Sequence, residues 1–445
     1  MITEINDVSP RILTAVNSKI ARGSLLYGEI SQAAYLLFSE LPTPDALEPV
    51  QAQQLLVHLG LWGASVGRHH QEHEYAVREN PELAFKDLPI GIQRQSFRKY
   101  FEGVSLRTGT GHPNRDAYAS LVRWNTPTAI VTLDGNRLAQ LPGIFCDSEV
   151  RTYTNTPGEI SFLELLKKAE ALELAANETL FPLISDEGKI GQIDSIERMG
   201  TAALLLSALR RLNLDFVSLP DDRALTSNHF LDVLRQFAVH WDAGDIPPSG
   251  AQDYEYLRRD FMLGINFPNY SQHVRRIFPG LLAEERDSLE RMTGQETLPE
   301  MIMRKSGIDS RFFERASPEE LMRCAEEHPE IAACYFVLRA NARLSSSHLM
   351  LTQKYLFKPY REREESGTRQ DAVVPNNAGT TGMLEHLLTS LTLARKNHLL
   401  SAFDSLGRGI LAKYARMSSE PNVTTATLCR MVKFEDPAPN LKAFP

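Results

Sequence analysis

Apolar positions recur along most of the chain at the three-and-four spacing of helices that bury one face. In the first hundred residues this pattern predicts helices over Arg11–Ser39, Ala46–Val66 and Ile92–Gly103, interrupted by Leu41-Pro-Thr-Pro44 and Pro89. A stretch rich in Thr, Gly and Pro then runs to Pro157, with a short strand predicted at Ala129–Leu133. From Glu159 onward the helical period returns. It predicts helices over Ser161–Thr179, Ile193–Arg211, Asn228–Asp242, Gln252–Leu263, Pro318–Glu327 and Glu330–Phe357, with Met383–Met417 one long or broken helix. The Pro-, Asn- and Thr-rich end, residues 417–445, reads as an extended tail.

One of these helices carries a stripe unsuited to a plain core. Leu338, Asn341, Ser345, His348, Thr352 and Tyr355 share a face that should end at Pro359, and its middle is small and polar instead of aliphatic. Small side chains one turn either side of an imidazole admit something broad and flat. A porphyrin with His348 as axial ligand fits that description, as does a buried histidine bonded to a backbone carbonyl.

Three further stretches carry polar chemistry inside helical patterns. Thr226-Ser-Asn-His begins with helix-capping residues, and Phe230, Leu234, Phe237 and Trp241 follow as a buried face. Arg235 sits at its edge beside Leu231, where it can pair with an acid, lay its stem along apolar surface or clamp a carboxylate. Pro247-Pro-Ser249-Gly-Ala-Gln252 offers small residues before a helix, and Asn376-Asn-Ala-Gly379-Thr380-Thr-Gly382 is a loop whose amides can face a polar group at a helix N-terminus.

Other candidates are weaker. His69 and His73 stand four apart, as metal ligands on a helix do, but among Glu and Gln they read as a solvated face. Gly109-x-Gly111 lacks the third glycine and preceding strand of a dinucleotide site. The 445 residues carry a formal charge of -8 with no basic block, which argues against a nucleic acid or an anionic membrane as partner. Met1-Ile-Thr-Glu-Ile-Asn-Asp lacks a signal-peptide pattern, no apolar run is long enough for a membrane span, and four scattered cysteines show no C-x-x-C pair. A cytoplasmic protein with free thiols is expected.

Taken in order, these pieces resemble a known family. His348-Leu-x4-Lys354-Tyr355-x3-Pro359, a polar stretch and Gly379-Thr380-x-Gly382 are similar to the haem-ligand region of indoleamine 2,3-dioxygenase. Phe230-x4-Arg235 resembles that family's substrate-pocket Phe and carboxylate-binding Arg. Ser249-x2-Gln252-x7-Asp260-x3-Gly264 resembles its haem-side run, and Tyr118-Ala-x4-Trp124 its pocket segment with one residue fewer. Trp124-Asn-Thr-Pro-Thr and the helix from Ser161 to Ala176 are similar to monodechloroaminopyrrolnitrin synthase, a relative that rearranges a tryptophan derivative.

The resemblance implies an all-α fold: a small N-terminal helical domain (1–116), a large haem-binding catalytic domain (117–416) and the tail (417–445). It implies haem b with His348 on the iron, O2 as co-substrate, and Ser249, Ser345 and Thr352 around the cofactor. Arg235 would hold the carboxylate of an aromatic amino acid, tryptophan or an indole derivative, with Phe230, Leu231, Tyr118, Gly379 and Thr380 completing the substrate pocket. Oxidative rearrangement and non-catalytic haem sensing stay open beside oxygenation. An electron donor is a further partner the reading allows, and a homodimer is among the open assembly states. Two departures stand out. Thr381 replaces a glycine, and the alignment puts Glu164 on the oxygen side, where a carboxyl would act as a proton donor; a solvent-facing position on a surface helix is the other reading of Glu164.

Overall fold

A computed structural model describes residues 1–110, 114–185, 190–265, 267–368, 372–415 and 422–435. The chain is mostly helical with very little strand, an all-α protein in class. No helix among the described residues is long and apolar enough to cross a membrane.

The N-terminal part is built on α1 (Ile2–Ala21), α2 (Glu29–Phe38), α3 (Pro49–His73) and α4 (Phe97–Leu106). The single helix expected over Arg11–Ser39 is two, because the chain turns through Gly23 and Gly28, both at positive φ where a side chain would be strained. α3 starts at Pro49, whose missing N–H costs nothing in the first turn, and is buried along most of its length. Its apolar cluster takes in Trp62, Phe85, Phe97 and Phe101, and also Phe237, Val239 and Trp241 from the larger part of the chain. The two parts therefore share a core across the expected boundary at residue 116.

In the larger part, α5 (Pro157–Ser185), α6 (Gln192–Val217), α7 (Tyr254–Met262), α8 (Pro318–Glu327), α9 (Pro329–Thr352) and α10 (Glu385–Lys396) carry the frame. α6 packs against both α5 and α9 over a small-residue core that includes Ala202, Ala203, Ala332 and Ala333. Alanines at those positions let the helix axes come close. α8 has the predicted bounds. The helix expected over Met383–Met417 is broken into α10, a turn at Ser401–Ser405 and a short helix at Arg408–Tyr414. Four short helices between Pro268 and Arg315 carry too few periodic positions each to have been predicted.

Pro359 does not end the His348 helix. After α9 the chain makes one π-helical turn, Gln353–Phe357, and Pro359 lies in the first turn of the following helix, Lys358–Ser366, where no N–H is needed. The predicted strand β1 (Ala129–Leu133) pairs antiparallel with β2 (Asn136–Leu141), and β3 (Val432–Phe434) joins its other edge. The described part of the C-terminal segment, residues 422–435, therefore holds a helix, Thr425–Met431, and a sheet strand rather than a plain extension. Its expected start at Met417 lies outside the described residues.

Candidate functional site

α5, α6, α7 and α9 enclose a cavity of about 310 Å³, with Leu61 of α3 reaching its wall from the N-terminal part. His348 and Thr352, one turn apart on α9, face into it, and Ser345 and Tyr355 extend the same stripe. Phe230 and Arg235 line it from the segment after Thr226, Ser249 from the 247–252 loop, Gly379 and Thr380 from the glycine-rich loop, and Tyr118 from the 114–125 region. Residues that sequence spacing could only associate are thus brought to one space.

Local backbone explains part of this convergence. Ala119–Arg123, Phe230–Leu234 and Gln353–Phe357 are each one turn of π-helix, and each has residues in the cavity wall. The extra residue in such a turn re-aims the side chains that follow it, and π-turns gather at functional sites for that reason. The helix expected over Asn228–Asp242 accordingly passes from α to π to 3₁₀ and stops at Phe237. Phe162, Phe216, Phe230 and Tyr355 pack in tilted and edge-on contacts around one side of the cavity, with ring centroids 5.8–6.3 Å apart.

His348 has no hydrogen bond on either ring nitrogen among the described residues, and its ring lies 6.3 Å from that of Tyr256. Burial, with the charges of Arg395 and Arg259 behind it, pushes its pKa down to about 4. It is a neutral imidazole with a free lone pair, the form that binds a metal. Behind it Arg395 is fully engaged. Its guanidinium bonds Asp260 at 2.5 Å, the Tyr256 hydroxyl at 2.6 Å and Ser345 Oγ at 2.9 Å, and Tyr270 donates to Asp260 at 2.6 Å. Ser345 also meets Thr392 at 3.2 Å, so its hydroxyl is committed to this network. The Thr352 hydroxyl donates to Leu349 O at 2.9 Å, whereas Ser249 Oγ accepts from the Ala251 amide at 3.3 Å and keeps its own proton free.

Arg235 is only 5% exposed and is held by neutral acceptors. It donates to Asn376 Oδ1 (3.0 Å), Thr380 Oγ1 (3.1 Å), Pro375 O (2.9 Å) and Ala378 O (2.5 Å). Among the described residues no carboxylate pairs with it, and burial alone pulls its pKa down to about 10. A buried guanidinium that lines a cavity without a counter-ion is a built receptor for an anion. The glycine-rich loop thus serves Arg235 first. Two of its amides are spent within it, Gly379 N on Met383 O and Gly382 N on Gly379 O, both at 2.8 Å. α10 starts only at Glu385, so the loop is not a helix N-terminus. Thr381 is buried, and Arg276 donates to its carbonyl.

Two expected site residues lie elsewhere. Leu231 points into an apolar cluster with Leu257 and Ile277 and has no part in the cavity wall. Glu164 faces away from the cavity and pairs with Lys168 at 3.6 Å. From α5 the cavity is lined by Phe162, Leu163, Leu165, Leu166 and Ala169, with Glu159 and Glu173 at either end, so apolar residues surround the position expected to carry the acid. Sequence reasoning missed Glu173 and Asp253, buried acids in the cavity wall, and Arg259, which pairs with Glu173. The signal was present as a glutamate on the Ala-rich buried face of α5 and an arginine at i+6 from Asp253. His69 is fully buried rather than solvated, while His73 is exposed. No group of three or more His, Cys, Asp or Glu among the described residues is arranged to hold a metal ion. Gly111 lies outside the described residues.

The residues present suit a haem in kind: an imidazole with no hydrogen bond among the described residues, aromatic and aliphatic lining, and small polar residues flanking the histidine. Neither a scan against models of known protein families nor a comparison with curated proteins gives a match to this chain.

Proposed function

We propose that the chain is a haem-dependent oxygenase of an aromatic amino acid, tryptophan or an indole derivative. The observation that supports it is one cavity lined by both His348, an imidazole with no hydrogen bond among the described residues, and Arg235, a buried cation with no counter-ion among them. The dioxygenase-like motifs quoted above agree with that pairing.

In this reading His348 offers its ring nitrogen to the iron, and the Tyr256–Arg395–Asp260–Ser345 network fixes the helix turn that carries it. Haem b, when bound, supplies the activation of O2. Arg235 takes the substrate carboxylate and is pre-aimed by four hydrogen bonds to the 375–380 segment, so little side-chain entropy remains to be lost on binding. Phe230, Phe162 and Tyr355 give the indole an apolar slot and keep water out. Positioning is the chain's main contribution.

The test is the visible spectrum of protein reconstituted with haem, followed by oxygen uptake and product mass with L-tryptophan. A Soret band that His348→Ala abolishes is expected. So is a substrate-dependent gain of oxygen that Arg235→Ala reduces by about 2–5 kcal/mol in kcat/KM. No haem uptake, or full activity in Arg235→Ala, sinks the reading.

A further inference from the structure

The cavity wall also carries acceptors that neither His348 nor Arg235 uses. Glu173 of α5 and Asp253 at the start of α7 are 4% and 5% exposed, and Tyr118 is 2% exposed. Glu173 gives Oε1 to Arg259, and its Oε2 is buried without a hydrogen bond. Asp253 Oδ1 accepts the Glu255 and Tyr256 amides at 2.9 and 3.2 Å, and its Oδ2 has no hydrogen bond among the described residues. The Tyr118 hydroxyl is likewise buried without a partner. All three residues line the cavity. They are also electrical neighbours: Glu173 is the charge that weighs most on Asp253, and Asp253 the one that weighs most on Tyr118.

Buried oxygens left in this state are unfavourable unless a donor reaches them. The cations of this region are already engaged. Arg123 pairs with Glu170 and Glu285 at 2.5 Å, and Arg258 with Glu178 at 2.7 Å and Glu255 at 3.4 Å. Arg395 pairs with Asp260, Arg259 with Glu173, and Lys167 donates to the Arg123 and Pro142 carbonyls. Asp253 is the carboxyl left over, with no ion pair among the described residues. Burial, then the charges of Glu173 and Glu170, push its pKa well above the usual carboxylate range, as expected of an acid for which the chain supplies no cation.

An alkylammonium group has a compact charge, three donors and no acceptor. It matches two carboxylate oxygens and a phenol oxygen set in a largely apolar wall. A divalent metal ion asks for more ligands than these two acids, and among the described residues no third His, Cys, Asp or Glu joins them in such a set. We propose that Glu173, Asp253 and Tyr118 form an amine subsite that takes a protonated primary amine of the cavity's occupant. It is the counterpart of Arg235: one part of the wall lacks an anion and another lacks a cation, so the same cavity selects a molecule that carries both. That the amine sits on an indole rests on the oxygenase reading, whereas the subsite does not.

The experiment is calorimetric titration of the full-length, haem-free protein at pH 7 with two probes on one carrier. Tryptamine has the amine and no carboxylate, and indole-3-propionate has the carboxylate and no amine. Tryptamine should bind the wild type. Asp253→Asn, which keeps the oxygen that caps α7, and Tyr118→Phe, which removes only the hydroxyl, should each weaken it about tenfold. Asp253→Asn should bind indole-3-propionate more tightly than the wild type does, because a negative charge has left the wall. Opposite signs from one substitution cannot come from misfolding. No tryptamine binding, a loss under about threefold in either variant, or an indole-3-propionate affinity that fails to rise overturns the proposal. All of these outcomes are read without haem, so a failure of the oxygenase reading is seen separately, in the visible spectrum.

Discussion

Two buried arginines near one cavity have opposite surroundings, and the difference separates support from recognition. Behind His348, Arg395 is neutralised by Asp260 and ringed by Tyr256, Ser345 and, through the aspartate, Tyr270. On another wall Arg235 makes as many hydrogen bonds, all to neutral oxygens, and has no carboxylate partner among the described residues. A buried pair that is complete leaves no field to recruit a ligand, whereas an incomplete one keeps its charge available. Arg395 holds the histidine's helix in place, and Arg235 waits for an anion.

The sharpest way to break that contrast is to make Arg395 resemble Arg235. Asp260→Asn keeps the shape and removes the charge, leaving a guanidinium uncompensated in the interior. A loss of about 3–5 kcal/mol in folding stability is expected, read from urea unfolding of the haem-free protein. A loss below about 1 kcal/mol would mean that the two arginines do not differ in kind.

A smaller effect separates the wild type from His348→Leu as pH falls. With a native pKa near 4 and an unfolded value of 6.5, His348 binds no proton in the folded state where the unfolded chain does. Above pH 6.5 neither state is protonated and the pH contributes nothing to the difference. Between pH 6.5 and about 4 the wild type alone pays this penalty, and below that it levels off. The stability of His348→Leu relative to wild type should therefore rise on acidification through that window. A difference that stays flat there would place a partner on the imidazole.

Much of the site was legible because its residue types were wrong for their helical positions. His348, Ser345 and Thr352 interrupt an aliphatic pattern, and Arg235 follows Phe230 and Leu234 on a buried segment; all of them meet at the cavity. What stayed hidden depends on backbone detail that periodicity averages away. The three π-turns shift side-chain direction within a helix without changing composition, and one of them defeats Pro359 as a stop. Leu231 and Glu164 failed because a change of one or two residues moves a helical side chain by about 100–200° around the axis. β2 and β3 were missed because strands of six and three residues at a sheet edge carry little alternation.

A milder probe of the contrast is Arg235→Met in the haem-free protein. Without a counter-ion to orphan, the substitution removes a desolvated charge along with its hydrogen bonds, and the acceptors lie on a loop that can turn to water. Stability within about 1 kcal/mol of wild type is expected, against the much larger cost at Asp260. Limited proteolysis between Val373 and Gly382 should accelerate, since the guanidinium ties three of that segment's carbonyl-type oxygens and a hydroxyl. A stability loss as large as that of Asp260→Asn would make Arg235 structural.

The smallest effect belongs to Glu164, and its smallness is what locates the cavity's acid. Among the described residues its one partner is Lys168, one turn along α5, and that lysine also lies 4.3 Å from the Phe434 ring centroid. A partly exposed pair at this spacing contributes roughly 0.3–0.5 kcal/mol, and losing it leaves no fully buried group unpaired. Glu164→Gln should therefore change stability by no more than about 0.5 kcal/mol and leave haem uptake and tryptophan turnover at wild-type values. The same exchange nine residues further along α5, at Glu173, removes the partner of Arg259 and should be felt in all three. If Glu164→Gln slowed turnover while Glu173→Gln did not, α5 would have to present its other face to the cavity, and Leu166 could not stand where the oxygen-side residue is expected.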